Sequence, residues 1–146
     1  MERQMDGNRD GPIDSALIPA LLERALEEHR EVIFAYLFGS FARQSATLQS
    51  DIDVAVYLTE GVDPLEARLE LIDTLTRQLH TEDIDVIILN SAPLSLVGRI
   101  LTHRVVLLDR DPHLRHRYES LRLRQFQDFT IKERNILERR FGLGRH

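Results

Sequence analysis

Two short clusters in this 146-residue chain carry side chains that could do chemistry together. Gly39-Ser40 and Asp51-Ile52-Asp53 are separated by ten residues within Leu37 to Tyr57, LFGSFARQSATLQSDIDVAVY. Positions i and i+2 of a strand face the same way, so Asp51 and Asp53 project two carboxylates from one side of a strand whose other residues are apolar. Two anions held that close repel each other, and divalent cations make the arrangement favourable. Hard oxygen ligands of this kind suit Mg²⁺, which takes one or two carboxylates and completes its octahedron with water and substrate phosphate. Gly39-Ser40 supplies the complementary half. A strand that ends in Gly-Ser and turns into a short helix, expected over Phe41 to Leu48, presents backbone N–H groups, a hydroxyl and a helix N-terminus, all of which attract a triphosphate. Arg43, one turn on, adds a cation for the same phosphates. Taken singly, Gly-Ser is an ordinary turn and Asp-x-Asp an exposed strand end; joined at this spacing, with a strand before each, they are far less ordinary.

Two metals would need a third carboxylate from a neighbouring strand, and Glu82-Asp83-Ile84-Asp85-Val86-Ile87-Ile88 offers one. Asp85 lies inside the apolar run, where an acid is costly unless paired or metal-bound. Asp83, at the mouth of the strand, reads as a turn residue. Ser50, just before the acids, caps a turn or joins Gly39, Ser40 and Arg43 as a nucleotide-binding residue. Arg24 with His29, and Arg110 with His116, both fit a loose Arg-x4-6-His spacing, and two hits in one short chain show how cheap that pattern is. They read as surface helix residues, and His80 and His103 as residues at element ends without a second metal ligand.

The elements that must position these groups are legible from periodicity. Leu17, Leu21, Leu22, Ala25 and Leu26 recur at helical spacing, which predicts a first helix from about Ile13 to Arg30, capped by Asp14 or Ser15. Val32–Phe38 and Ile52–Leu58 are apolar runs rich in aromatic and β-branched residues, and they read as buried strands. Leu65, Leu69, Ile72, Leu75 and Leu79 line one face of a helix over Pro64 to His80, with Asp63 as its cap. A third strand follows over Ile84–Leu89, a short helix over Pro93–Thr102 and a fourth strand over Arg104–Leu108. After Pro112 a long charged helix runs to about Arg140, ended by Gly142 and Gly144. The order predicts an α/β domain, a small mixed sheet flanked by helices with one more helix at the C-terminus. Residues 1–11 read as a flexible leader, 12–109 as the domain and 110–146 as a helical extension.

Composition narrows the class of protein. With 42% hydrophobic and 29% charged residues, the chain has the balance of one globular domain. Having no cysteine, it has neither disulfides, thiolate metal sites nor a Cys nucleophile. No stretch approaches the roughly 18 apolar residues of a membrane span, and polar Met1–Asp10 lacks the apolar core of a signal peptide. The expectation is a cytoplasmic protein. Residues 1–109 carry nine basic and nineteen acidic side chains, net −10, whereas 110–146 carry ten and five, net +5. That basic tail, with Tyr118, Phe126, Phe129 and Phe141, reads as a solvated helix packing its aromatics on the domain or as a docking surface for a partner.

Gly39-Ser40-x10-Asp51-x-Asp53 with a later strand Asp85 resembles the DNA polymerase β nucleotidyltransferase superfamily. The small size resembles its minimal nucleotidyltransferases, most of all the MntA-type antitoxins of HEPN (HepT) toxin systems. The likeness runs from about Leu17 to Leu108. It implies a polymerase-β-like fold and transfer of AMP from ATP to a tyrosine hydroxyl of a partner HEPN toxin, which silences it. Asp51 and Asp53 would bridge two Mg²⁺ ions, Asp85 would hold the one that activates the nucleophile, and Gly39 and Ser40 would bind the triphosphate. Arg43 lies in an Ala-Arg step often followed by Gly in the family, and here Gln44 follows. No membrane partner is expected of a chain without such a span, and the basic tail points to nucleic acid less than to a solvated face or a docking surface. Two alternatives use the same chain: a small-molecule nucleotidyltransferase with the same acids, and a non-catalytic antitoxin that masks its partner.

Overall fold

The computed structural model describes residues 14–47 and 50–141. A single 3₁₀ turn, Ser15–Leu17, leads into helix α1 (Ile18–Leu26). Strands β1 (Val32–Phe38) and β2 (Ile52–Leu58), helix α2 (Pro64–Leu79), strand β3 (Ile84–Ile88), helix α3 (Leu94–Thr102), strand β4 (Val105–Asp109) and helix α4 (Pro112–Phe141) follow. The four strands form one mixed sheet in the order β3-β2-β1-β4. β1 lies antiparallel to β2 and β4, while β2 and β3 are parallel and joined through α2 as a βαβ unit.

Alternation along the strands divides the core between the two faces of the sheet. Val54, Val56 and Leu58 of β2 join Leu22 and Leu26 of α1 and Leu71, Leu75 and Leu79 of α2 in one cluster. Ala55 of β2 faces the other way, with Phe34 and Tyr36 of β1, Val97, Ile100 and Leu101 of α3 and Tyr118 of α4. On that second side Phe34 stacks on Tyr57 at 4.8 Å, and Tyr118 meets both rings. Gly98 in the middle of α3 lets α4 approach, because a Cβ there would overlap the ring of Phe126.

Local signals explain most boundaries. Asp63 accepts the N–H of Leu65 at 3.0 Å and Pro64 opens α2, while His80 ends it in the left-handed region. Asp14 caps the first turn through Ala16 N–H. The first helix ends at Leu26, four residues before the expected Arg30, and the carbonyls of the segment that follows it are held by a side chain from elsewhere: Arg110 donates to Glu27 O, His29 O and Val32 O at 2.7–2.8 Å. Arg110 therefore joins α1 to the end of β4, and neither it nor His29 is a helix surface residue. His29 is half-buried against Thr74 Oγ1 at 3.0 Å. Asn90 extends the sheet past β3, its side chain exchanging two hydrogen bonds with the backbone of Leu58.

One expected element is absent. Phe41–Gln44 is a tight turn in place of the first part of a helix over Phe41–Leu48. Arg43 N–H reaches Gly39 O at 3.1 Å and Ser45 N–H reaches Ser40 O at 2.9 Å, which closes the chain on itself. Gln44 then adopts φ +59°, ending any helical run. The part of that expectation on residues 48 and 49, and the expected leader 1–11, lie outside the described residues.

Candidate active site

Asp53 and Asp85 are direct neighbours in the parallel register of β2 and β3. Their side chains therefore share a face with Ala55, Tyr57 and Ile87, and Asp51, two residues before Asp53, projects to the same side. The three carboxylates interact. Asp53 is held above its ordinary proton affinity first by burial, then by the charges of Asp85 and Asp51, with Arg43 acting in the opposite sense. Acids gathered this closely are poised to take up cations.

Gly39 completes the wall of this site. It follows β1 with φ +75°, a conformation that L side chains rarely adopt, and a Cβ there would collide with Asp53 Oδ2. The backbone of the turn thus lies directly against the Asp53 carboxylate, which only glycine permits. Ser40 comes next in the turn, half-buried, and exposed Arg43 closes it with its backbone N–H while its charge acts on Asp53. Gln44 occupies the left-handed position for which glycine is the usual residue.

Ser50 is part of the turn ahead of the acids. Its hydroxyl accepts the Thr47 N–H at 2.8 Å, and its own N–H reaches Thr47 O at 3.1 Å, so it closes the turn ahead of the acids. Asp83 is a turn residue: its N–H is capped by Thr81 Oγ1, and its carbonyl receives the Ile52 N–H that starts β2. Arg68, on α2, is a site residue that sequence reasoning missed. Its Nε donates to Val86 O at 2.8 Å and its Nη2 lies 3.2 Å from Asp85 Oδ1. A lone arginine on an amphipathic helix carries no sequence signal of this role, because only the fold puts that helix beside the open edge of β3.

Among the described residues, no three acidic or histidine side chains close into a preformed metal cage. The donor set nonetheless fits Mg²⁺, which is commonly bound through one or two carboxylates with water and phosphate completing its shell.

A four-stranded mixed sheet, a glycine turn after the first strand and acids side by side on the next two define a nucleotidyltransferase domain. The profile of the family described as "Polymerase beta, Nucleotidyltransferase" matches residues 21–113, and the chain belongs to that family. Several solved structures of similar fold are toxin–antitoxin proteins. One, determined with AMP-PNP, is 24% identical at a TM-score of 0.69, covering 82% of this chain and 95% of its own. A second is a tri-AMPylated Shewanella oneidensis HEPN toxin in complex with MNT antitoxin, 23% identical at a TM-score of 0.66, covering 86% and 97%. A third, a MntA–HpeT toxin–antitoxin mutant, is 25% identical at a TM-score of 0.65, covering 86% and 96%. No curated protein sequence matches the chain significantly. Among the described residues no helix is long and apolar enough to cross a membrane.

Proposed function

We propose that the chain is an antitoxin-type protein adenylyltransferase that moves AMP from ATP to a tyrosine hydroxyl of a partner HEPN toxin and so neutralises it. The observation that carries the reading is the pairing of Asp53 with Asp85 across β2 and β3, with the Gly39 backbone against the Asp53 carboxylate. The partner class is supported by the toxin–antitoxin assemblies that share the fold.

Asp51 and Asp53 would hold Mg²⁺ against the triphosphate, and Asp85 would hold it on the side where the nucleophile enters. Bound there, Mg²⁺ neutralises phosphate charge and makes a hydroxyl more acidic. In the transfer, the phenolic oxygen bonds to the α-phosphorus, the bond from that phosphorus to the bridging oxygen of pyrophosphate breaks, and the hydroxyl proton passes to water or a carboxylate. The chain's own contribution is alignment. The Gly39-Ser40 backbone receives the phosphates without a side chain in the way, Arg43 adds positive charge, and the strands fix the acids in register.

Incubating the chain with Mg²⁺, ATP labelled on the α-phosphate and a purified HEPN partner should label the partner on tyrosine, and Asp53→Asn should abolish labelling without unfolding the chain. Labelling that survives this substitution removes the assignment. Labelling of hydroxylated small molecules in place of the partner identifies a small-molecule transferase. Masking is favoured by a separate feature, the exposed Phe129, Ile131, Ile136 and Leu137 on α4. Neutralisation that persists without Asp51 and Asp53 assigns the effect to that surface.

A further inference from the structure

Arg68 is held at two points. Its Nε donates to the backbone carbonyl of Val86 on the open edge of β3, at 2.8 Å, and its Nη2 lies 3.2 Å from Asp85 Oδ1. The bond to the backbone does not depend on what Asp85 binds, so the guanidinium stays beside the acid cluster with or without a cation. Two consequences follow from charge and geometry. Asp85 has Oδ1 engaged by α2, which leaves Oδ2 the better placed oxygen for a metal ion. A fixed positive charge so near also opposes a divalent cation at that oxygen, while among the described residues Asp53 feels Arg43 without an ion pair of that length and Asp51 shows none.

We propose that Arg68 is a positioning residue that fixes Asp85 as a one-oxygen ligand and keeps the Asp85-side cation site weak until the phosphates of a bound nucleotide add their charge. The proposal rests on the nucleotidyltransferase reading above. It assigns the arginine two separable functions, charge and fork. Lysine keeps the charge but cannot reach both partners with a planar fork, and methionine keeps the stem but loses both.

The test is Mn²⁺ binding to the full chain, followed by electron paramagnetic resonance, without nucleotide and with a non-hydrolysable ATP analogue. Without nucleotide, Arg68→Met should bind Mn²⁺ roughly tenfold more tightly than the parent, the order of effect expected from removing one charge beside a divalent ion in a water-like dielectric. Arg68→Gln, a second charge-free variant, should behave as Arg68→Met does. Arg68→Lys should keep the parent's Mn²⁺ affinity yet transfer AMP with a lower kcat at unchanged KM for ATP. Unchanged or weaker Mn²⁺ binding by both charge-free variants, or an equal shift in Arg68→Lys, would overturn the proposal. If the parent shows no Asp53-dependent Mn²⁺ binding even with the analogue, the nucleotidyltransferase reading itself falls.

Discussion

Asp53 works against the fold it sits in. Burial and two neighbouring carboxylates raise its proton affinity above the ordinary aspartate value of 3.8. For an acid whose folded value is raised, the folded state binds the extra proton, so stability is highest below the carboxylate range and falls as pH rises through it. Asp53→Asn removes that loss. The metal-free variant should therefore melt at a higher temperature than the parent at neutral pH, with the gap narrowing on acidification, as read by differential scanning calorimetry. Mg²⁺ with an ATP analogue should raise the parent's melting temperature and leave the variant's unmoved. A variant that melts below the parent under metal-free conditions would show that Asp53 supports the fold. At this scale the motif was well marked in the sequence, since the spacing of Gly39, Ser40, Asp51 and Asp53 and the placement of Asp85 in an apolar run are local facts. Arg68 was not marked, because its partners come from residues 17 and 18 positions away on a different element.

Strands and helices were legible wherever apolar periodicity or a cap set them, as in Val32–Phe38, Ile52–Leu58 and Asp63-Pro64. Phe41–Leu48 was misread because Phe41 and Ala42 pack against the sheet from a turn as well as a helix would, and the i+5 bond from Ser45 to Ser40 has no sequence signature. The attachment of α4 was equally hidden. Glu119, 7% exposed, accepts Tyr36 Oη at 2.7 Å, Arg104 Nε at 3.0 Å and Arg115 Nη1 at 3.0 Å, joining α4 to β1 and to the start of β4. These partners lie up to 83 residues apart. Burial opposes the charge of Glu119, but the tyrosine and both arginines prevail and hold its carboxyl below the ordinary range. Since the folded value is depressed, its stabilisation is present above that range and is lost as pH falls through it. Glu119→Ala should cost about 2–3 kcal/mol in urea unfolding, because the Tyr36 phenol loses its acceptor and two guanidinium groups each lose one, Arg115 keeping Asp109 and Arg104 keeping Leu101 O. A cost under about 1 kcal/mol would mean that the network adds nothing beyond packing.

Across the whole molecule, charge and packing divide α4 into two parts. Up to Phe126 the helix is anchored by Tyr118, Glu119 and the contact of Phe126 with Gly98. From Gln127 to Leu137 every residue is exposed, including Phe129 and Ile136, so this stretch holds its helical form without burying a face. The full helix of 30 residues spans about 45 Å, and its outer half is no longer than an isolated helix that is marginal in water. Its mixed side chains add little, since exposed ion pairs along one helix contribute only tenths of a kcal/mol each. Amide hydrogen exchange on the chain alone should therefore show two regimes. Amides from 116 to 126 should exchange at rates governed by opening of the whole domain, and those from 128 to 140 should exchange orders of magnitude faster, with the change falling near the Phe126–Gly98 contact. Adding the HEPN partner should slow the second group if that surface is where the partner sits, while Mg²⁺ and ATP alone should not. Uniform protection along α4 in the isolated chain would mean that the outer half is stabilised by contacts the fold does not display, and the division between anchored and outer helix would have to be abandoned.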